Sequence, residues 1–187
     1  MHAASPQNVS IAQNLGVLYN FRSVALNALG DRQGAMASLQ QALGTCVALL
    51  NRRYDISCQH TVWMAHRRMA ATLATMGDSR GALREAKISL DPVQRPESQH
   101  DAQIHAYLAR ALAGNGDVYM IFAKRAAGRE RASDWRTTAD FYRRATAEFQ
   151  VFHPTTEPYL SEARQVEASL AECESALTAP AIADSQR

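Results

Sequence analysis

Apolar residues recur every three or four positions along nearly the whole chain, the spacing that places them on one face of a helix. The clearest run is Ala35, Met36, Leu39, Ala42, Leu43, Cys46, Val47 and Leu50. Upstream, Ile11, Leu15, Leu18, Tyr19, Leu26 and Leu29 predict a first helix of the same period. Val62, Met69, Ala70, Leu73 and Met76 predict a third, and Ala82, Leu83, Ala86 and Leu90 a fourth. A fifth runs through Ile104, Tyr107, Leu108, Ala111 and Leu112, with Ser98 and Asp101 ahead of it as a capping-box pair. It bends or breaks at Gly114-Asn115-Gly116-Asp117, then resumes through Tyr119, Phe122 and Ala126. Gly128 and the charged run Arg129-Glu130-Arg131 predict the next turn. Trp135, Ala139, Tyr142, Ala145, Phe149 and Phe152 mark a sixth helix, and Tyr159, Ala163, Val166, Leu170, Cys173 and Leu177 a seventh. Pro6, Pro92, Pro96, Pro154, Pro158 and Pro180 fall at the joints between these patterns.

Composition agrees with helices. The 187 residues include 34 alanines, against 15 valines and isoleucines together, a balance that favours packed helices over a β-sandwich or barrel. The pattern predicts a single helical domain over residues 8–177. Residues 1–7 read as a disordered segment or one foreign to the native chain, and residues 178–187 as a disordered tail. No apolar run reaches the roughly 18–20 residues that span a bilayer, and no secretory signal is visible at the N-terminus. Cys46, Cys58 and Cys173 form no CxxC pair, so free thiols in a reducing cytoplasm are the plain reading. The formal net charge of +2 does not point to nucleic acid. Eighteen of the basic residues are Arg, including the pairs Arg52-Arg53, Arg67-Arg68 and Arg143-Arg144, but 18 acidic residues are interspersed among them.

Two segments repeat. Gly30-Asp31-Arg32-Gln33-Gly34-Ala35-Met36 is echoed by Gly77-Asp78-Ser79-Arg80-Gly81-Ala82-Leu83, 47 residues later. Gly30 and Gly77 suit the left-handed conformation that ends a helix, and Asp31 and Asp78 then cap the next one. Gly34 with Ala35, and Gly81 with Ala82, offer small side chains where paired helices approach. A degenerate third copy puts Ser133-Asp134-Trp135 in a turn before Ala139 to Ala145. A further echo sets Leu15-Gly16-Val17-Leu18-Tyr19 against Asn115-Gly116-Asp117-Val118-Tyr119. Helix-turn-helix units of such a period imply an α-solenoid.

Over residues 10–152 these motifs resemble tetratricopeptide repeats, antiparallel helix pairs with a Gly-Asp turn and an Ala-Leu pair near the end, here Ala42-Leu43 and more loosely Ser89-Leu90. Tyr19 and His66 stand where the family has its early tryptophan, and the long period is similar to arrays that follow the catalytic domain of some bacterial serine/threonine kinases. The resemblance implies three helix pairs and a C-terminal capping helix. It also implies a non-catalytic scaffold that binds a protein or peptide in the groove lined by the first helix of each pair. Registered on the repeats, the groove positions are Asn20, Val24 and Asn27, then Met64, Arg67 and Thr75, then Met120 and Lys124. The amides of Asn20 and Asn27 suit a peptide backbone, Arg67 and Lys124 an acidic group or C-terminal carboxylate, and Met64 and Met120 adaptable apolar contacts. The family's chaperone-tail clamp is not matched: Asn20, Val24 and Arg68 stand where Lys, Asn and Asn are expected. Alternative readings are self-association through the apolar stripe of the seventh helix, and a regulatory region of a signalling kinase.

No catalytic or cofactor motif competes with that reading. Gly114-x-Gly116 lacks the rest of a phosphate loop. The His60/His66 and His100/His105 pairs have the wrong spacing for a helical zinc site, and Cys58-Gln59-His60 has no second cluster to complete one. No nucleophile elbow or kinase loop is present. The sequence therefore predicts no enzyme, no metal and no cofactor.

Overall fold

Seven α-helices, and no strand, make up the described residues of the computed structural model, which are 6–51, 55–91 and 103–179. The chain gathers into two compact units, Met1–Pro92 and Val93–Arg187. The first holds α1 (Pro6–Ala28), α2 (Arg32–Leu50), α3 (Ile56–Met76) and α4 (Ser79–Leu90); the second holds α5 (Ile104–Arg125), α6 (Gly128–Phe152) and α7 (Tyr159–Thr178). The predictions made for Arg52-Arg53, Pro92, Pro96, Ser98, His100, Asp101 and Pro180 lie outside the described residues. At the ends, α1 starts two residues before the predicted boundary, and α7 runs on to Thr178. No helix among the described residues is long and apolar enough to cross a membrane.

The repeated turn is the same object twice. Gly30 and Gly77 take φ of +83° and +90°, where a Cβ is strained. At the first turn the Asp31 amide donates to Leu26 O (2.9 Å) and that of Gly30 to Asn27 O (3.0 Å). At the second, Asp78 donates to Leu73 O (3.0 Å) and Gly77 to Ala74 O (3.1 Å). Both pairs are the hydrogen bonds of a Schellman ending. Asp31 and Asp78 then accept from the amides of Gly34 and Gly81, each at 2.8 Å, and so cap α2 and α4. Ala35 and Ala82 are fully buried, as close helix contact requires. Gly34 and Gly81 also serve the cap itself. A Cβ at either would collide with the carboxylate of its own cap, Asp31 or Asp78, so these glycines make room for the cap. Asp31→Ala and Asp78→Ala are each expected to cost about 1 kcal/mol, read from urea midpoints. Matched losses follow from the matched geometry, and a loss confined to one variant would contradict it.

In the first unit α1 packs on α2 and α3, α2 on α3, and α3 on α4. The inward face of α1 is not the apolar stripe that its spacing suggests. Gly16, Asn20 and Ser23 are buried, whereas Ile11, Leu15, Leu18 and Leu29 are exposed. Close approach explains the choice: a Cβ on Gly16 would lie 2.8 Å from both Cys46 Sγ and Thr61 Cγ2. Three side-chain amides at seven-residue spacing then stitch α1 to α3. Gln13 donates to the Asp55 carboxylate (2.8 Å), Asn20 to Thr61 O (3.1 Å) and Asn27 to Thr72 Oγ1 (2.9 Å). Asp55 also caps α3 by accepting from Cys58 N. Elsewhere the core is apolar, with Leu39, Ala42, Ala65 and Met69 in one cluster and Val9, Cys46, Leu49, Cys58 and Val62 in another. His66, at the expected tryptophan position, meets the buried Glu85 of α4 at 2.7 Å. All three cysteines are free and buried.

In the second unit α5 runs unbroken through Gly114-Asn115-Gly116-Asp117. Those glycines are buried, and Gly116 sits where a Cβ would be 2.9 Å from the Tyr142 ring of α6. The Tyr142 hydroxyl donates to Asp117 Oδ1 at 2.8 Å, and burial together with that carboxylate raises its pKa. Two further expectations are corrected. The turn before α6 is Ala126-Ala127 in extended conformation followed by Gly128 at φ +54°. Arg129-Glu130-Arg131 is the first turn of α6, and Ser133-Asp134-Trp135 lies inside that helix rather than in a turn. On α7, Val166, Ser169 and Cys173 are buried and Leu170 and Leu177 half-buried. Arg110 of α5 reaches α7 by pairing with Glu162 (2.8 Å) and lying over the Tyr159 ring.

Candidate functional site

A groove of about 270 Å³ opens in the first unit where the C-terminal halves of α1 and α3 lie side by side and the start of α2 meets them. Val24 and Asn27 come from α1, Arg32 from α2, and Arg68, Ala71, Thr72 and Thr75 from α3. The i, i+3, i+4 and i+7 positions of α3 share one face, so this wall is a direct consequence of helix period. It is also firmly held. Asn27 ties the two helices through Thr72, whose hydroxyl donates to Arg68 O (2.9 Å), and the Thr75 hydroxyl donates to Thr72 O (2.7 Å).

Arg68 dominates the chemistry of the groove. Its guanidinium is half-buried and lies 5.8 Å from the centroid of the Phe21 ring, a cation–π contact. Burial, and secondarily the charge of Arg67, pushes its pKa down to about 10. It stays cationic at neutral pH. Phe21 is 64% exposed and Val24 47%, so the α1 wall presents an apolar strip beside the cation. Arg32 adds a second, exposed positive charge at the mouth. Its neighbour Asp31 spends its carboxylate on the α2 cap.

Three of the predicted groove residues, Val24, Asn27 and Thr75, line this groove together. Asn20 does not: it is 4% exposed, and its amide is committed to the backbone of α1 and α3. Asn27 also spends a donor internally, on Thr72, rather than waiting for a ligand. Met64 and Arg67 are half-buried on α3 but are not among the lining residues. Met120 and Lys124 belong to the other unit, and Lys124 is paired with Glu172 of α7 at 2.8 Å. Arg32, Arg68, Ala71 and Thr72 are the lining residues that the repeat register missed. The register points to Arg67, whereas Arg68 lines this groove, because one step along a helix turns a side chain by about 100°.

A second hollow, about 280 Å³, lies between α6 and α7 and is lined by Thr146, Phe149, Gln150, His153, Pro154, Thr155, Ala163 and Glu167. It holds no concentrated charge. Among the described residues no three His, Cys, Asp or Glu side chains gather as metal ligands. Comparison with protein-family models, with curated proteins and with solved structures gave no match.

Proposed function

We propose that the protein is a non-catalytic, tetratricopeptide-like binding module that holds an acidic segment of a partner protein in the α1–α3 groove. The observation that carries this reading is Arg68: a half-buried cation, set beside exposed Phe21 and Val24, with no carboxylate partner among the described residues. Holding an unanswered charge out of water is unfavourable, and an incoming anion relieves that cost. The apolar strip favours a peptide over a small free anion, because neighbouring side chains have somewhere to pack. The paired Gly-Asp turns and the contact of α1 with α3 support the repeat-like arrangement of the first unit. The apolar stripe of α7 is largely covered, which supports the groove reading over self-association through that helix.

Pools of acidic peptides, bearing aspartate, glutamate or phosphoserine, are expected to yield binders to the intact protein. Arg68→Glu is expected to weaken the best of them by at least about tenfold, or about 1.4 kcal/mol. Arg136→Glu, the same charge change at an exposed position on α6, is expected to leave binding unchanged. Equal affinity in both variants, measured by titration calorimetry, would remove Arg68 from the site.

A further inference from the structure

The cations among the described residues fall into those answered by an acid and those that are not. Arg84, Arg110, Lys124, Arg143, Arg144 and Arg164 each face an Asp or Glu within ion-pair distance. Arg32 and Arg68 have no such partner among the described residues, as is also true of Arg22, Arg80, Arg129 and Arg136, but Arg32 and Arg68 line one groove together. Two unanswered positive charges at one place suit a doubly charged ligand; a single carboxylate neutralises only one of them. The hydroxyl protons of Thr72 and Thr75 are committed to backbone carbonyls, so the guanidinium N–H groups are the strong donors left to meet an anion. A guanidinium fork matches two oxygens of a phosphate, whose third oxygen remains for the second arginine. Beside them Val24 and Phe21 form an exposed apolar strip on α1. Free phosphate has no use for that strip, whereas residues flanking a modified side chain do.

We propose that the groove is a receptor for a phosphorylated serine or threonine of a partner protein, with Arg68 and Arg32 gripping the phosphate and Phe21 and Val24 packing against an adjacent apolar residue. The proposal rests on the groove reading above and narrows its ligand to a dianion. A phosphate monoester carries close to two negative charges at neutral pH, and recognition by clustered arginines is an established way to read it.

The test uses the intact protein and three matched degenerate peptide pools, centred on phosphoserine, serine or glutamate, with inorganic phosphate, phenyl phosphate and phenyl sulfate as small probes. The phosphoserine pool is expected to be retained and the serine pool to pass through, with the glutamate pool weaker by on the order of tenfold. Phenyl phosphate is expected to compete better than phenyl sulfate, which has the same shape and a single charge, and inorganic phosphate to compete least. Arg68→Gln and Arg32→Gln are each expected to lose binding by on the order of tenfold. Arg32 is exposed, so its variant keeps the test valid if Arg68→Gln perturbs folding. Glutamate peptides binding as tightly as phosphoserine peptides, in an Arg68-dependent way, would overturn the phosphate assignment and leave the groove reading standing. Failure of all three pools would overturn both. Arg68-dependent binding to phosphatidic acid vesicles with no peptide retained would overturn the protein source of the phosphate.

Discussion

Replacing Trp63 by alanine is expected to destabilise the first unit by about 3–5 kcal/mol. Trp63 is 1% exposed and the largest fully buried side chain among the described residues. It sits on α3, the helix against which α1, α2 and α4 all pack. Removing a fully buried indole leaves a cavity that the surrounding close-packed side chains fill only in part. The loss therefore includes a cavity contribution on top of the lost burial. Urea unfolding followed by far-UV circular dichroism measures it, with Trp63→Phe as the milder control. In both variants the remaining tryptophan, Trp135, lies in the second unit, so its fluorescence follows that unit alone while circular dichroism follows both. A loss under about 1 kcal/mol would place Trp63 outside the core that holds the groove helices.

Valine at Gly116 is expected to cost about 1–3 kcal/mol through overpacking. Its Cβ would stand 2.9 Å from Tyr142 Cε1, inside ordinary contact distance. The ring has little freedom to move away. Tyr142 is 1% exposed and its hydroxyl is anchored on Asp117, one residue beyond the glycine itself. The penalty belongs to the pair, so Gly116→Ala in a Tyr142→Ala background is expected to be nearly silent, a coupling that a double-mutant cycle reads directly. Gly16→Val is expected to lose a similar amount against Cys46 and Thr61 in the first unit. Gly44 supplies the contrast: it lies in α2 with nothing within 4 Å of a would-be Cβ. Gly44→Ala is expected to stabilise by up to about 1 kcal/mol from helix propensity alone. Equal effects at Gly44 and Gly116 would show that the close approach to Tyr142 carries no weight.

These glycines also show what was legible in the sequence. The Gly-Asp turns were readable because every interaction in them is local: a left-handed glycine, a Schellman pair and a cap within a few residues. The helix count was readable for the same reason. The face of α1 was not, because periodicity assumes that large apolar residues point inward. Here the inward positions are Gly16, Asn20 and Ser23, chosen for close approach and for hydrogen bonds to a helix some forty residues away. The turn at Gly128 was readable from its glycine, but Ser133-Asp134 imitates a cap and so sets the start of α6 too late, when the helix already begins at Gly128. Within the groove, Val24, Asn27 and Thr75 followed from repeat register. Arg68 needed the rotation of α3, which only packing against α1 and α2 sets. Arg32 was read as part of a turn, and nothing in its sequence neighbours places it beside α3.

On the proposed reading, the α1–α3 groove of the first unit is where the partner segment binds. Residue-resolved amide NMR of the intact protein, titrated with the tightest peptide from the acidic pools, tests it most directly. The largest shift changes are expected at Phe21, Val24 and Asn27 on α1 and at Arg68, Ala71, Thr72 and Thr75 on α3, saturating together and vanishing in Arg68→Glu. Changes centred instead on α5, α6 or α7, or on the exposed Ile11–Leu15–Leu18 face of α1 with Arg68 unmoved, would contradict it.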